Sequence, residues 1–300
     1  MKYPKIDLKT IRLQARQFQS ENPRLFLVYL LPSILVILSG FLNPLARLQE
    51  SVLEQSFFSM LAQVLQAYLF PLVVSFMSMI FLAGAAFATL RLLKDPDTEL
   101  SVKSSLVLKD PDTELSVKSS LVLFAEERFS QTFLTLLLKR FYLFLWSIPN
   151  LVGVYFLFYS NLLARRFVAL HPEFPKLDLS SIETEQFLLT FGLYFFASLI
   201  LMIVGNALYI PQHYAYSQVE FLLCDTLDLG QAKPSQILKT SRFLMKGYKF
   251  QCFVLDLQLL PWYFLNWITF GIASFSLLPY IQNNHIFFYR ALLARKRRNG

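Results

Sequence analysis

A chain of 300 residues that is 55% hydrophobic and only 16% charged carries too little charge for a water-facing shell, since soluble domains run at roughly 25%. Its 31 Phe and 14 Tyr residues suit lipid-facing helices with aromatic anchors at the interface. The net charge of +8 is therefore not a nucleic-acid signature: the basic residues flank long apolar stretches, where they meet anionic headgroups, and no nucleic-acid partner is expected.

All of the 28 Lys and Arg residues except Arg47, Arg165, Arg166 and Lys176 fall in four blocks. Cytoplasmic loops retain Lys and Arg, so the four blocks mark the inner side of a repeatedly threaded chain. In residues 1–24, Leu8, Ile11, Ala15 and Phe18 share one helical face while Lys9, Arg12 and Arg16 lie largely opposite. Such an amphipathic helix either lies in the cytoplasmic headgroup layer or packs on its own protein. Positive charge ahead of an apolar run resembles a secretory signal, but no small-residue cleavage site follows Leu42 and more apolar segments come later. Residues 25–42, with Pro32 inside, are thus expected to remain as span one, just reaching the roughly 17 residues a crossing helix needs.

Residues 55–90 carry no charge, and Gln63 and Gln66 interrupt the early part. The expected division is an outer interfacial helix over 57–66 and span two over 67–90. Span two contains Pro71 and ends in Ala83, Gly84, Ala85 and Ala86, small residues that let helices approach closely. A cytoplasmic loop over 91–140 follows. Within it residues 93–107 read LKDPDTELSVKSSLV and recur unchanged as 108–122. Two copies are too few for a solenoid, and a recent in-frame duplication in a tolerant loop is the simpler reading. Its acids lack the Gly and terminal Glu of a calcium loop.

Span three is expected over 141–161, with Pro149, and span four over 187–208. The next inner loop holds a second amphipathic helix over 235–246. It points Ile237, Leu238, Leu244 and Met245 inward and Lys239, Arg242 and Lys246 outward, with Gly247 as its stop. Residues 250–289 contain no base and the single acid Asp256; at about 60 Å if helical, they are too long for one crossing. They divide into span five over 250–265 and span six over 267–289, turning near Asn266. Trp262 and Trp267 then sit at the outer interface, and the tail Arg295, Lys296, Arg297 and Arg298 returns inside.

The expected fold is all-α: a polytopic transmembrane helical bundle of six spans with both termini cytoplasmic and amphipathic helices at the inner surface. It comprises a basic segment 1–24 and one transmembrane domain 25–300. Cys224 and Cys252 lie on or near the inner side and read as small buried hydrophobes rather than a disulfide.

Asp256 is the only carboxylate in any expected span. A charge at bilayer depth costs at least about 2.5 kcal/mol on insertion scales. A hairpin of spans five and six brings Gln282, Asn283 and His285 level with it. That cluster either relays protons, binds a cation, or pins two helices together. No catalytic set, cofactor motif or metal-ligand spacing is legible, and His171 and His213 have no second His nearby. Lys9, Arg12, Arg16, Lys239, Arg242 and Lys246 are the expected lipid-headgroup contacts. Pro32, Pro71, Pro149, Pro261 and Pro279 interrupt five of the six expected spans, as in transporters with broken helices, although no internal repeat between halves accompanies them.

Several blocks carry a family resemblance: Leu145-Trp146-Ser147 leading to Pro149, Tyr214-Ala215-Tyr216-Ser217, and most specifically Ser241-Arg242-Phe243-Leu244-Met245-Lys246-Gly247. The last continues into Phe253-Val254-Leu255-Asp256-Leu257, Trp262, Thr269-Phe270-Gly271-Ile272, Pro279-Tyr280 and Phe288-Tyr289. In this order the chain resembles an uncharacterised family of bacterial integral membrane proteins, domain of unknown function 975, most strongly over residues 139–294. Pro261 departs from it, standing where the family often has Gly. The resemblance implies a multispan protein of the bacterial cytoplasmic membrane and no established activity. The leading expectation is a non-enzymatic membrane or envelope-associated protein engaging the lipid bilayer, its anionic headgroups and a membrane-protein partner. The alternatives are a transporter or permease component with a polar site near Asp256, and an intramembrane enzyme.

Overall fold

The computed structural model describes residues 5–41, 57–94, 121, 123, 126–171, 182–227 and 233–299. Every regular element among them is helical: α1 Leu8–Glu21, α2 Leu25–Val28, α3 Leu30–Phe41, α4 Phe57–Lys94, α5 Glu126–Leu170, α6 Ile182–Ala215, α7 Val219–Leu227, α8 Pro234–Leu244, α9 Lys249–Ile268 and α10 Ser274–Asn299. Residues 43–56 and nearly all of the tandem duplication lie outside the described residues. The chain forms two compact units, one of residues 1–42, 73–140 and 214–300, the other of 43–72 and 141–213.

In the first unit α10 is the central helix, with α1, α2, α3, α8 and α9 packed on it. Its inward positions Leu277, Tyr280, Ile286, Phe288, Tyr289 and Leu292 are all buried. Asp7 starts α1 by accepting from Lys9 N at 3.0 Å and from the Thr10 hydroxyl at 2.6 Å. Those two bonds, the Thr10 hydroxyl foremost, hold the Asp7 carboxyl below its ordinary value. The apolar face of α1, Ile11 and Ala15, is buried. Of the two readings open for this helix, its apolar stripe is therefore spent on the protein itself. Ile6 N donates to Gln251 Oε1 at 2.8 Å and Gln19 Nε2 to the Ser276 carbonyl at 3.0 Å, tying α1 to both helices of the α9–α10 hairpin.

Leu25, Val28, Tyr29 and Ala85 form a core cluster joining α2 to α4, with Phe18, Leu82, Ala88 and Leu278 against it. The small-residue run serves close packing as expected: Ala83, Ala85 and Ala86 are fully buried, and Cys224 of α7 sits against the Ala83 carbonyl at 3.7 Å. The Lys139 ammonium of α5 pairs with Glu220 of α7 at 2.5 Å, both nearly buried. In the second unit α5 and α6 pack in antiparallel register. A Cβ on Gly153 would lie 2.9 Å from Met202 Cγ, and one on Gly205 would lie 2.7 Å from Asn150 N. Stacked Phe167 and Phe187, 3.9 Å apart, close one end of this pair, with His171 3.7 Å from Glu183.

Three segments are long and apolar enough to cross a membrane among the described residues: Val73–Leu93, Arg128–Leu170 and Ile182–Leu227. The last two run to 43 and 46 residues, and only 11% and 6% of their most apolar windows are covered by protein. They coincide with expected spans two, three and four.

Three boundaries differ from the sequence reading. The expected break near residue 66 does not occur, because α4 continues unbroken from Phe57 to Lys94; two glutamines alone do not interrupt backbone hydrogen bonding. Span one is divided into α2 and α3 around Tyr29, whose N–H bonds the Phe26 carbonyl. The hairpin turns at residues 269–273, at the far edge of the stretch expected from Asn266 to Thr269. Phe270 has φ 50° and Gly271 φ 85°, and Gly271 N donates to the Asn266 carbonyl at 2.8 Å. The chain reverses where glycine accepts a left-handed backbone at little cost, so Asn266 remains helical.

Candidate functional site

One turn apart on α9, Cys252 and Asp256 project from the same face toward α10. His285 of α10 places its Nε2 3.0 Å from Asp256 Oδ1. From the end of α6, the Tyr214 hydroxyl donates to Asp256 Oδ2 at 2.9 Å. Both carboxylate oxygens thus have a partner, and the partners come from two further helices. Cys252, one helical turn before Asp256, is fully buried. Phe253 packs edge-on against Tyr214, with centroids 6.0 Å apart, and shields the carboxylate on that side.

The hairpin register expected from sequence places His285 against Asp256 but brings neither amide to it. Asn283 is fully buried and both polar atoms of its side chain lack a protein partner, while Gln282 is half-buried. Sequence reasoning missed Tyr214 and Cys252. The four-residue step from Cys252 to Asp256 was readable on a helix; Tyr214 lies 42 positions away and only the packing reveals it.

Chemically the site is a carboxylate held between an imidazole and a phenol, with a buried thiol one helical turn away. Partnering of this kind lets a charge persist at low dielectric, where an unpaired one costs several kcal/mol. It can hold a proton or tie helices together. No group of three or more His, Cys, Asp or Glu side chains suited to a metal ion occurs among the described residues.

The expected headgroup cations divide by helix. On α1, Lys9 is exposed, Arg12 is half-buried and the Arg16 guanidinium lies 5.9 Å over the Tyr280 ring. On α8 and the turn that follows it, Lys239, Arg242 and Lys246 are all exposed, whereas Ile237, Leu238, Leu244 and Met245 are buried.

A family model described as "Protein of unknown function (DUF975)" matches residues 1–296. The chain belongs to the DUF975 family. No curated protein and no solved structure matches it. The family match takes in α1 to α4 of this DUF975 protein as well as the C-terminal half, where the motif resemblance is strongest.

Proposed function

We propose that this DUF975 protein is a six-span protein of the bacterial cytoplasmic membrane, with both termini inside, that works by binding at the inner leaflet. The observation that carries the reading is the division of labour in the first unit. The Asp256 carboxylate is engaged on both oxygens within the bundle, while the cations of α8 stand outward on a helix whose opposite face is anchored by four buried residues.

Support for span five comes from the outer face of α9. Phe250, Phe253, Leu257, Leu260, Phe264 and Trp267 are all exposed and recur at helical spacing over about 26 Å, close to the roughly 30 Å hydrocarbon thickness. The inner face carries Gln251, Asp256, Gln258 and Asn266, which lowers the helix's average apolarity without removing its lipid-facing stripe. The same reasoning applies to α10, whose polar Asn283 and Asn284 are buried against protein.

The experiment is affinity capture from native membranes after crosslinking. Wild-type protein should recover a reproducible membrane partner, and the Lys239→Glu, Arg242→Glu, Lys246→Glu triple variant should lose it while still inserting. Identical recovery from both would overturn the binding role. A transport reading is favoured by one feature: the side chains of Asp256 and His285 keep 24% and 17% exposure, so the pair is not sealed off.

A further inference from the structure

The corner where α8 meets α9 gathers cations, with no acid paired to them among the described residues. Gly247, with φ 88°, makes the tight turn, and Met245 and Tyr248 are buried beneath it. Arg242 and Lys246 are exposed on one side of the turn, and Lys249 opens α9 on the other. Burial, and then the neighbouring Arg242 cation, push the Lys249 ammonium below its ordinary value. Those two positive groups therefore feel each other directly. None of the three is paired with a carboxylate among the described residues. The first turn of α9 also contains no acid and its Tyr248 cap supplies no side-chain bond, so the positive end of the helix dipole adds to the same field.

Beside these cations stand two large exposed aromatics, Phe243 at 66% and Phe250 at 72%. Lys296 of α10 holds its ammonium 4.4 Å from the Phe243 ring centroid, bringing a fourth cation to the corner. Phe250 is the first residue of the apolar stripe running along α9 to Trp267. A soluble anion would satisfy the cations and leave both rings in water. An anionic phospholipid satisfies both at once, with phosphate on the cations and acyl chains against the aromatics and the stripe.

We propose that the α8–α9 corner is a binding site for one anionic phospholipid, its phosphate held between Arg242 and Lys249 and its acyl chains lying along Phe250 and the outer face of α9. The site deepens the inner-leaflet reading and rests on α9 being a span.

The test uses the full chain, purified and delipidated, then exposed to equal amounts of phosphatidylglycerol and phosphatidylcholine, with retained lipid counted by native mass spectrometry. Wild type should retain phosphatidylglycerol preferentially. The Arg242→Gln, Lys249→Gln double variant should lose that preference by about fivefold per cation removed, and Arg242→Lys with Lys249→Arg should keep most of it. Equal retention of the two lipids by wild type would overturn the site, as would an unchanged preference in the double variant. So would displacement of the lipid by millimolar inorganic phosphate, which would identify a free anion as the occupant. Each of these failures leaves insertion intact. Extraction of the wild-type protein from membranes by alkaline carbonate would instead remove the membrane reading itself.

Discussion

Asp256 shows how much one side chain's position and its partners each contribute. That it would be the single acid at bilayer depth, and that His285 would come level with it, followed from counting residues about a hairpin. Its second partner, Tyr214, did not, because the 42-residue separation is bridged only by packing. Hydrogen bonds between helices in a membrane contribute about 0.6 to 2 kcal/mol. Asp256→Asn and His285→Gln should each lower detergent-solubilised stability by an amount in that range. In a double-mutant cycle the combined variant should cost clearly less than the sum, since either change alone dissolves the pair; strict additivity in thermal melts would show that the two do not act together. The Asp256→Asn protein also decides the transport reading. Loss of flux in proteoliposomes with insertion intact would establish it, and unchanged flux across candidate solutes would remove it.

Among the elements, the helices whose packing rests on small residues were only half legible. Four small residues in succession at Ala83 to Ala86 announced close approach, and they are buried. The close contact of α5 with α6 depends on isolated glycines, Gly153 and Gly205, which carry no local signal because each is matched by a residue on the other helix. A methyl on Gly205 would meet the Asn150 backbone nitrogen at 2.7 Å, whereas one on Gly192 meets nothing within 4 Å. Gly205→Ala should therefore destabilise the protein by about 1 to 3 kcal/mol through overpacking. Gly192→Ala should be neutral or stabilising by about 0.5 to 1 kcal/mol, as expected for an open helical position. Equal melting temperatures for the two variants would contradict the close approach of these helices.

For the whole molecule the open quantity is the number of crossings. Three segments meet a length-and-apolarity requirement among the described residues, and the further crossings proposed for α2–α3, α9 and α10 depend on helices whose polar sides are turned to protein. Membrane-impermeant thiol labelling separates the alternatives, and its background should be low because Cys224 and Cys252 are both buried. Lys9→Cys and Lys246→Cys should react only after the inner face is opened, and Arg165→Cys should react in intact cells. Reaction of Lys246→Cys from outside would reverse the orientation of the hairpin.

The sequence by itself determined an all-helical, apolar chain with its cations in blocks and one acid in its final apolar stretch. These properties depend on composition and on periodicity within single helices. Only the tertiary structure decided that α1 spends its apolar face on α10, that Gly271 rather than Asn266 reverses the chain, and that Tyr214 completes the carboxylate's partners. The first and the last depend on groups distant in sequence meeting at one point, which no local pattern of residues encodes; the turn is local, set by the left-handed backbone of Gly271.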